Sequence, residues 1–261
     1  MVLQRVKRAK EQRRDLEREM RTWVKEGAYR VVSKFDSETG YTLFYLEQSL
    51  DIPPEITSLI AETLHSLRSA LDNLAYQLFL LRRADPLHEG EHVYFPIYDD
   101  TEPSKSDPFR RIKPLGEDVV KVFRTINPCK SGNPLLWALH RLDIVDKHRR
   151  VLTSTLVHHS IFVQDAMKQL VINGGDADIL PFVPLPPAFM PSAKTGKTAQ
   201  VGHIVFVGMP GDEEVNKKLK FTFDVAFDEP GIIEGRSIVE TLDKMIPLVD
   251  GIISSLSPFL I

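Results

Sequence analysis

Cysteine occurs once in this chain of 261 residues, at Cys129. A single thiol excludes an internal disulfide framework and any cysteine-built metal site within one chain. It also points to a reducing compartment, where a small buried thiol is a common fate. Long apolar runs are missing too. The nearest approach, "MIPLVDGIISSLSPFLI", is broken by Asp250, whereas a helical span needs about 20 such residues. The opening "MVLQRVKRAKEQRRDLEREM" has no apolar stretch of the secretory kind. Together these absences predict a cytoplasmic protein with no membrane partner. A net charge of −3 supplies no global pull toward nucleic acid or anionic lipid. No internal repeat is visible.

What the chain does have is the composition of a folded protein. With 43% hydrophobic and 26% charged residues, it has enough apolar side chain to bury a substantial core. Charge is uneven at the front: over residues 1–26 Lys and Arg outnumber Asp and Glu nine to five. That segment reads as a charged helical extension. Its sparse apolar positions are Leu3, Val6, Leu16, Met20, Trp23 and Val24, and pairs such as Arg13–Glu17 would support it. "YRVVSKFDSETGYTLFYLE" reads as a β-hairpin with Gly40 closing the turn.

Pro53-Pro54-Glu55 opens a long helix that should end by Pro86. Its stripe is Ile56, Leu59, Ile60, Leu64, Leu67, Leu71, Leu74, Leu78 and Leu81, at helical steps. "HVYFPI" reads as a short edge strand cut by Pro96. A helix over 116–126 ends at "NPCKSGNP", and Asn133-Pro134 caps and starts the next one.

After Leu152 the pattern turns to strands, over 153–164, 168–173, 201–208 and 219–227. A capping box, Ser237-x-x-Glu240, then opens a closing helix with the stripe Ile238, Leu242, Met245, Val249, Ile252 and Leu256. This order predicts an α+β fold of central helices packed with an antiparallel sheet. Residues 27–261 form a single domain on this reading. It is helix-rich over 50–152 and strand-rich over 153–230, and a closing helix spans 236–257.

Several motif fragments fail on inspection. "TGKT" at 195–198 has Pro191 where a phosphate-binding loop needs glycine. The prolines Pro181, Pro184, Pro186, Pro187 and Pro191 read as a stiff crossover. His158 and His159 are neighbours on a strand, so they point to opposite faces and cannot readily chelate one metal.

Two helices carry the polar residues that could do chemistry. On the first, His65, Arg68, Asp72 and Tyr76 share a side with Ala61, Ala75 and Phe79. Arg68–Asp72 is an i,i+4 pair, and the apolar neighbours suggest that part of this side is covered. On the second, "HRLDIVDKHRR" divides when projected at about 100° per residue. Asp143–Lys147 and Asp146–Arg150 read as intrahelical pairs on the face of Leu135 and Leu139. Arg141 and His148 project together on the opposite face beside Trp137 and Ile144, and His140 sits between the two faces.

A histidine can exchange a proton near neutral pH, and a fixed arginine can stabilise the charge of a phosphorane-like transition state. That pairing suits metal-independent RNA cleavage through the 2′-hydroxyl. Arg141-(six residues)-His148 resembles the R-x(4–6)-H motif of the HEPN family of helical RNA-cleaving and nucleotide-binding domains. The family usually has a polar residue straight after its arginine, where this chain has Leu142. The resemblance implies His148 as acid/base and Arg141 as phosphate stabiliser, facing a cleft or the groove of a homodimer, with RNA or a nucleotide as partner and no cofactor. His65, Arg68, Asp72 and His140 would orient them.

"HSLRSALDNLAYQL", "YFPI" and "NPLLWALHRLDIVDKHRRVL" together resemble a group of uncharacterised bacterial proteins over residues 60–152, which implies a coherent fold. A metal held by His65, Asp72, His140, Asp143 and His148 is a further option, although no Glu-x-x-His repeat supports it. The main rival is a non-catalytic interaction protein whose helix-borne polar residues satisfy one another across a helix contact.

Overall fold

The structure, a computed structural model, describes residues 2–38, 40–82, 93–100, 109, 112–149, 154–162, 204–208 and 220–260. Among these residues lie five α-helices and two three-stranded antiparallel sheets, an α+β fold.

Helix α1 (Val2–Lys25) buries Val2, Val6, Ala9, Gln12, Leu16, Met20 and Trp23. These fall at three- and four-residue steps along one side, and they lay α1 along α2 (Pro54–Arg82). Leu3 and Val24 fall off this stripe and stay exposed, while Val2 and Ala9 fill it. Each large apolar side chain buried here contributes about 1.5–3 kcal/mol, whereas an exposed ion pair contributes about 0–1 kcal/mol. The apolar seam therefore holds α1, and the charge pairs lie at its margin. One of them, Arg13–Glu17, forms as its spacing predicts, and Arg13 also reaches Asp243 Oδ2 at 2.6 Å. Inside the seam, Gln12 donates to Glu62 Oε2 at 2.8 Å and accepts from Ser66 Oγ at 2.8 Å.

The hairpin forms as β1 (Tyr29–Phe35) and β2 (Thr42–Ser49). Gly40, at φ +74°, donates its N–H to the Asp36 carbonyl at 2.8 Å, and this positive φ carries no Cβ penalty for glycine. After α2 a short 3₁₀ turn, Lys113–Leu115, leads into α3 (Glu117–Ile126), which ends at Asn127 in the left-handed region. Asn133 Oδ1 then accepts the Leu136 N–H at 3.2 Å, the N-cap expected for α4 (Pro134–Arg149).

The strands β3 (Ser154–Phe162), β4 (Ile204–Gly208), β5 (Lys220–Glu229) and β6 (Ile233–Ser237) complete two sheets rather than one, in the orders β1-β2-β4 and β3-β5-β6. In β3 the register shifts between His158 and Ser160. The β5–β6 turn is Glu229-Pro230-Gly231-Ile232, closed by Ile232 N–H to Glu229 O at 3.1 Å with Gly231 at φ +74°. Proline followed by a positive-φ glycine is the composition of a type II turn. Helix α5 (Ile238–Leu256) buries its whole expected stripe, and Ser237 Oγ accepts the Glu240 N–H at 3.3 Å.

The core is shared by α1, α2, α3, α4, α5 and β5. Helix α2 is at its centre, with Leu64, Leu67, Leu71, Leu74 and Leu78 fully buried. No described helix is long and apolar enough to cross a membrane. The 168–173 strand, the "TGKT" segment and the proline cluster lie outside the described residues.

Candidate functional site

The segment 93–100 positions the site. Its "HVYFPI" run does not form the edge strand expected of it: residues 93–97 pair with no strand, and only Tyr98 makes a single bridge, to Cys129. Side chains of α2 take the place of a ladder. Asp72 Oδ1 accepts the Phe95 N–H at 2.9 Å, and Arg68 Nη2 donates to the Phe95 carbonyl at 3.0 Å. Pro96, next along, has no N–H to offer a ladder. Farther along, Tyr98 N–H donates to Pro128 O at 3.1 Å, Trp137 Nε1 donates to Asp99, and Ser131 Oγ donates to Asp100 Oδ1 at 3.0 Å. Four consecutive contacts thus lay this irregular segment against α2 and the start of α4.

Arg68 and Asp72 form their i,i+4 pair at 2.9 Å, but not on a solvated surface, since Arg68 is only 4% exposed. Burial pushes the Arg68 guanidinium below its ordinary range, against the opposing pull of Asp72 and Asp143. Arg68 Nη1 is buried with no hydrogen-bond acceptor. A buried guanidinium can stay charged only beside such carboxylates, so these three residues act as one unit.

Asp143 was expected to pair with Lys147. Instead it lies 3% exposed against α2, where its Oδ1 is 3.0 Å from His65 Nδ1. The Lys147 side chain is outside the described residues, as are those of His148 and Arg149. His65 is 49% exposed on its other side, and its Nε2 lies 3.2 Å from Ser69 Oγ. His140 is different. Burial, reinforced by the Arg68 charge, pushes its pKa down to about 4, and the nearby Asp143 only partly offsets this. It is therefore neutral at pH 7, and its Nδ1 is buried without a partner.

Arg141 stands at the margin. Its side chain is 40% exposed, and Nη1 is 4.0 Å from Asp99 Oδ2, beyond hydrogen-bond range. Its Nε is buried without a partner. Leu142, after it, is fully buried, which gives a packing reason for an apolar residue there. His148 lies in the last turn of α4. The structure thus brings together His65 with Asp143, and Arg68 with Asp72. Asp72 is committed to Phe95 and Arg68, and among the described residues no group of three or more His, Cys, Asp or Glu is placed to hold a metal ion.

Four participants escaped sequence reasoning: Ser69, Asp99, Trp137 and the long-range role of Asp143. For Asp143 a signal existed, because it projects on the same face as Leu139, which is fully buried. Asp99 carried none, because its partners come from a segment 38 residues away. Comparison with protein-family models, curated proteins and solved structures finds no match to this chain.

Proposed function

We propose that this chain is a HEPN-like protein that binds a nucleotide or RNA phosphate and cleaves RNA without a metal, with Arg141 as phosphate stabiliser and His148 as acid/base. The observation that carries this reading is the state of Arg141: a half-open guanidinium whose nearest carboxylate, Asp99, is 4.0 Å away. An exposed pair of this kind contributes at most about 1 kcal/mol, so an incoming phosphate, which takes two parallel hydrogen bonds from arginine, displaces Asp99 at little cost. Seven residues of helix place His148 about 20° round α4 from Arg141 and about 10 Å along it, within joint reach of one phosphodiester. His140 is not the proton carrier, since a pKa of about 4 leaves it neutral and sealed.

The test is RNA turnover by the full chain in the presence of a chelator. Turnover that survives chelation and falls at least tenfold in both His148→Ala and Arg141→Ala is the expected result. Turnover unchanged in both variants would sink this reading. A second reading, a non-catalytic interaction protein, draws on the Arg68–Asp72–Phe95 tie, which is a structural use for helix-borne charge. It takes over if the chain neither binds nor cleaves RNA.

A further inference from the structure

We propose that Ser69, His65 and Asp143 form an acyl-transfer triad on the outer side of α2, acting on small, neutral, activated esters. It is a site separate from Arg141, which lies about 160° round α4 from Asp143. The three roles are filled in order. Asp143, almost wholly buried, accepts from His65 Nδ1 at 3.0 Å. A carboxylate oxygen only accepts, so this bond puts the neutral ring's hydrogen on Nδ1 and leaves the Nε2 lone pair free. That lone pair is 3.2 Å from Ser69 Oγ and receives its hydrogen.

The Ser69 hydroxyl departs from local habit. In the helices of this chain Thr22, Thr63, Thr125 and Ser254 all turn their hydroxyls back to the carbonyl four residues earlier, at 2.6–3.1 Å. That is the usual satisfaction of a hydroxyl within a helix. For Ser69 the equivalent acceptor is the carbonyl of His65 itself, yet the hydroxyl is turned to the ring nitrogen instead. Exposure is graded in the direction catalysis needs: the acid is sealed, the serine half-buried, and the histidine half open.

The surroundings select the substrate. Ser69 lies well inside α2, where backbone N–H groups are committed to the helix and cannot form an oxyanion hole. Only esters with a good leaving group, such as aryl esters, fit a nucleophile without that help. Glu62, exposed one turn before His65, disfavours anionic substrates. In the step itself, Ser69 Oγ bonds to the carbonyl carbon while its proton passes to His65 Nε2. The bond from carbonyl carbon to leaving oxygen then breaks, and the leaving alcohol takes that proton. Water hydrolyses the acyl-serine by the same proton path, releasing the acid and restoring Ser69.

The probe is p-nitrophenyl acetate with the full chain, read by nitrophenol release and by mass spectrometry of acetylated peptides. Acetyl on Ser69, with release falling at least tenfold in Ser69→Ala and in His65→Gln, is expected. In Ser69→Cys the acetyl should move to the new sulfur. These side chains reach solvent, so circular dichroism of the variants should match that of the parent. Release within twofold of the parent in Ser69→Ala, or acetyl found only elsewhere, overturns the proposal.

Discussion

Two seams of α2 both carry polar side chains, and they use them in opposite ways. Along α1 the polar contacts fringe an apolar stripe: Lys10–Asp250, Arg13–Asp243 and Arg8–Glu62 join side chains that mostly keep contact with water. Between α2, α4 and residues 93–100 they sit in the middle. Arg68, Asp72 and Asp143 hold the place that leucines hold elsewhere, and three buried nitrogens (Arg68 Nη1, His140 Nδ1 and Arg141 Nε) lack partners. A fringe of charge can fail pair by pair. A central charge fails as a whole, because the carboxylates that remain are left in low dielectric without compensation.

Substitutions can break or sharpen this contrast, and the largest effect belongs to the central seam. Arg68→Ala strips the Phe95 carbonyl and Asp72 of their donor together, and urea denaturation should show a loss of about 3–5 kcal/mol. A loss under 1 kcal/mol would put the two seams in the same class. The next effect is pH-dependent. His140 has a folded pKa of about 4 against an ordinary 6.5, so the unfolded chain binds more protons between those values. Stability from this group is complete above about pH 6.5 and declines as pH falls toward 4, by about 2–3 kcal/mol. His140→Gln should remove that slope from the difference between variant and parent over this window. An unchanged slope would mean that His140 is solvated.

Asp143→Asn weakens the contact to His65, which is half open. It should cost about 1–2 kcal/mol in thermal or urea unfolding. Arg13→Ala, at the fringe, should cost about 1 kcal/mol or less at low salt, and the difference should shrink in 1 M NaCl. A deficit that persists at high salt would show that Arg13 acts through packing of its stem.

The contrast also explains what could be read from the sequence. The stripes of α2 and α5, the hairpin with Gly40 and the caps at Asn133 and Ser237 were legible, because each follows from chemistry within a few residues. The β5–β6 turn was legible in principle from Pro230-Gly231, yet the short β6 has too little alternation to stand out. "HVYFPI" was misread because strand propensity describes a side-chain pattern and says nothing of what satisfies the backbone. Here two side chains do so. Asp143 was misread for a related reason: a local partner four residues away hid the partner 78 residues away. Pairing by spacing sees only one helix.

The clasp on Phe95 can also be viewed as chain topology. Asp72 and the Phe95 amide are 23 residues apart, so their bond closes a ring of the kind a cysteine-poor chain cannot close covalently. The entropy of such a ring changes slowly with its size, by about 0.6 kcal/mol per doubling, so a residue gained or lost between the two ends scarcely alters its stability. The fastening point is unforgiving. Sliding the segment by one residue in one direction would offer Pro96, which has no N–H to give, and in the other it would draw the exposed Tyr94 inward. The ring is thus elastic in length and rigid in register.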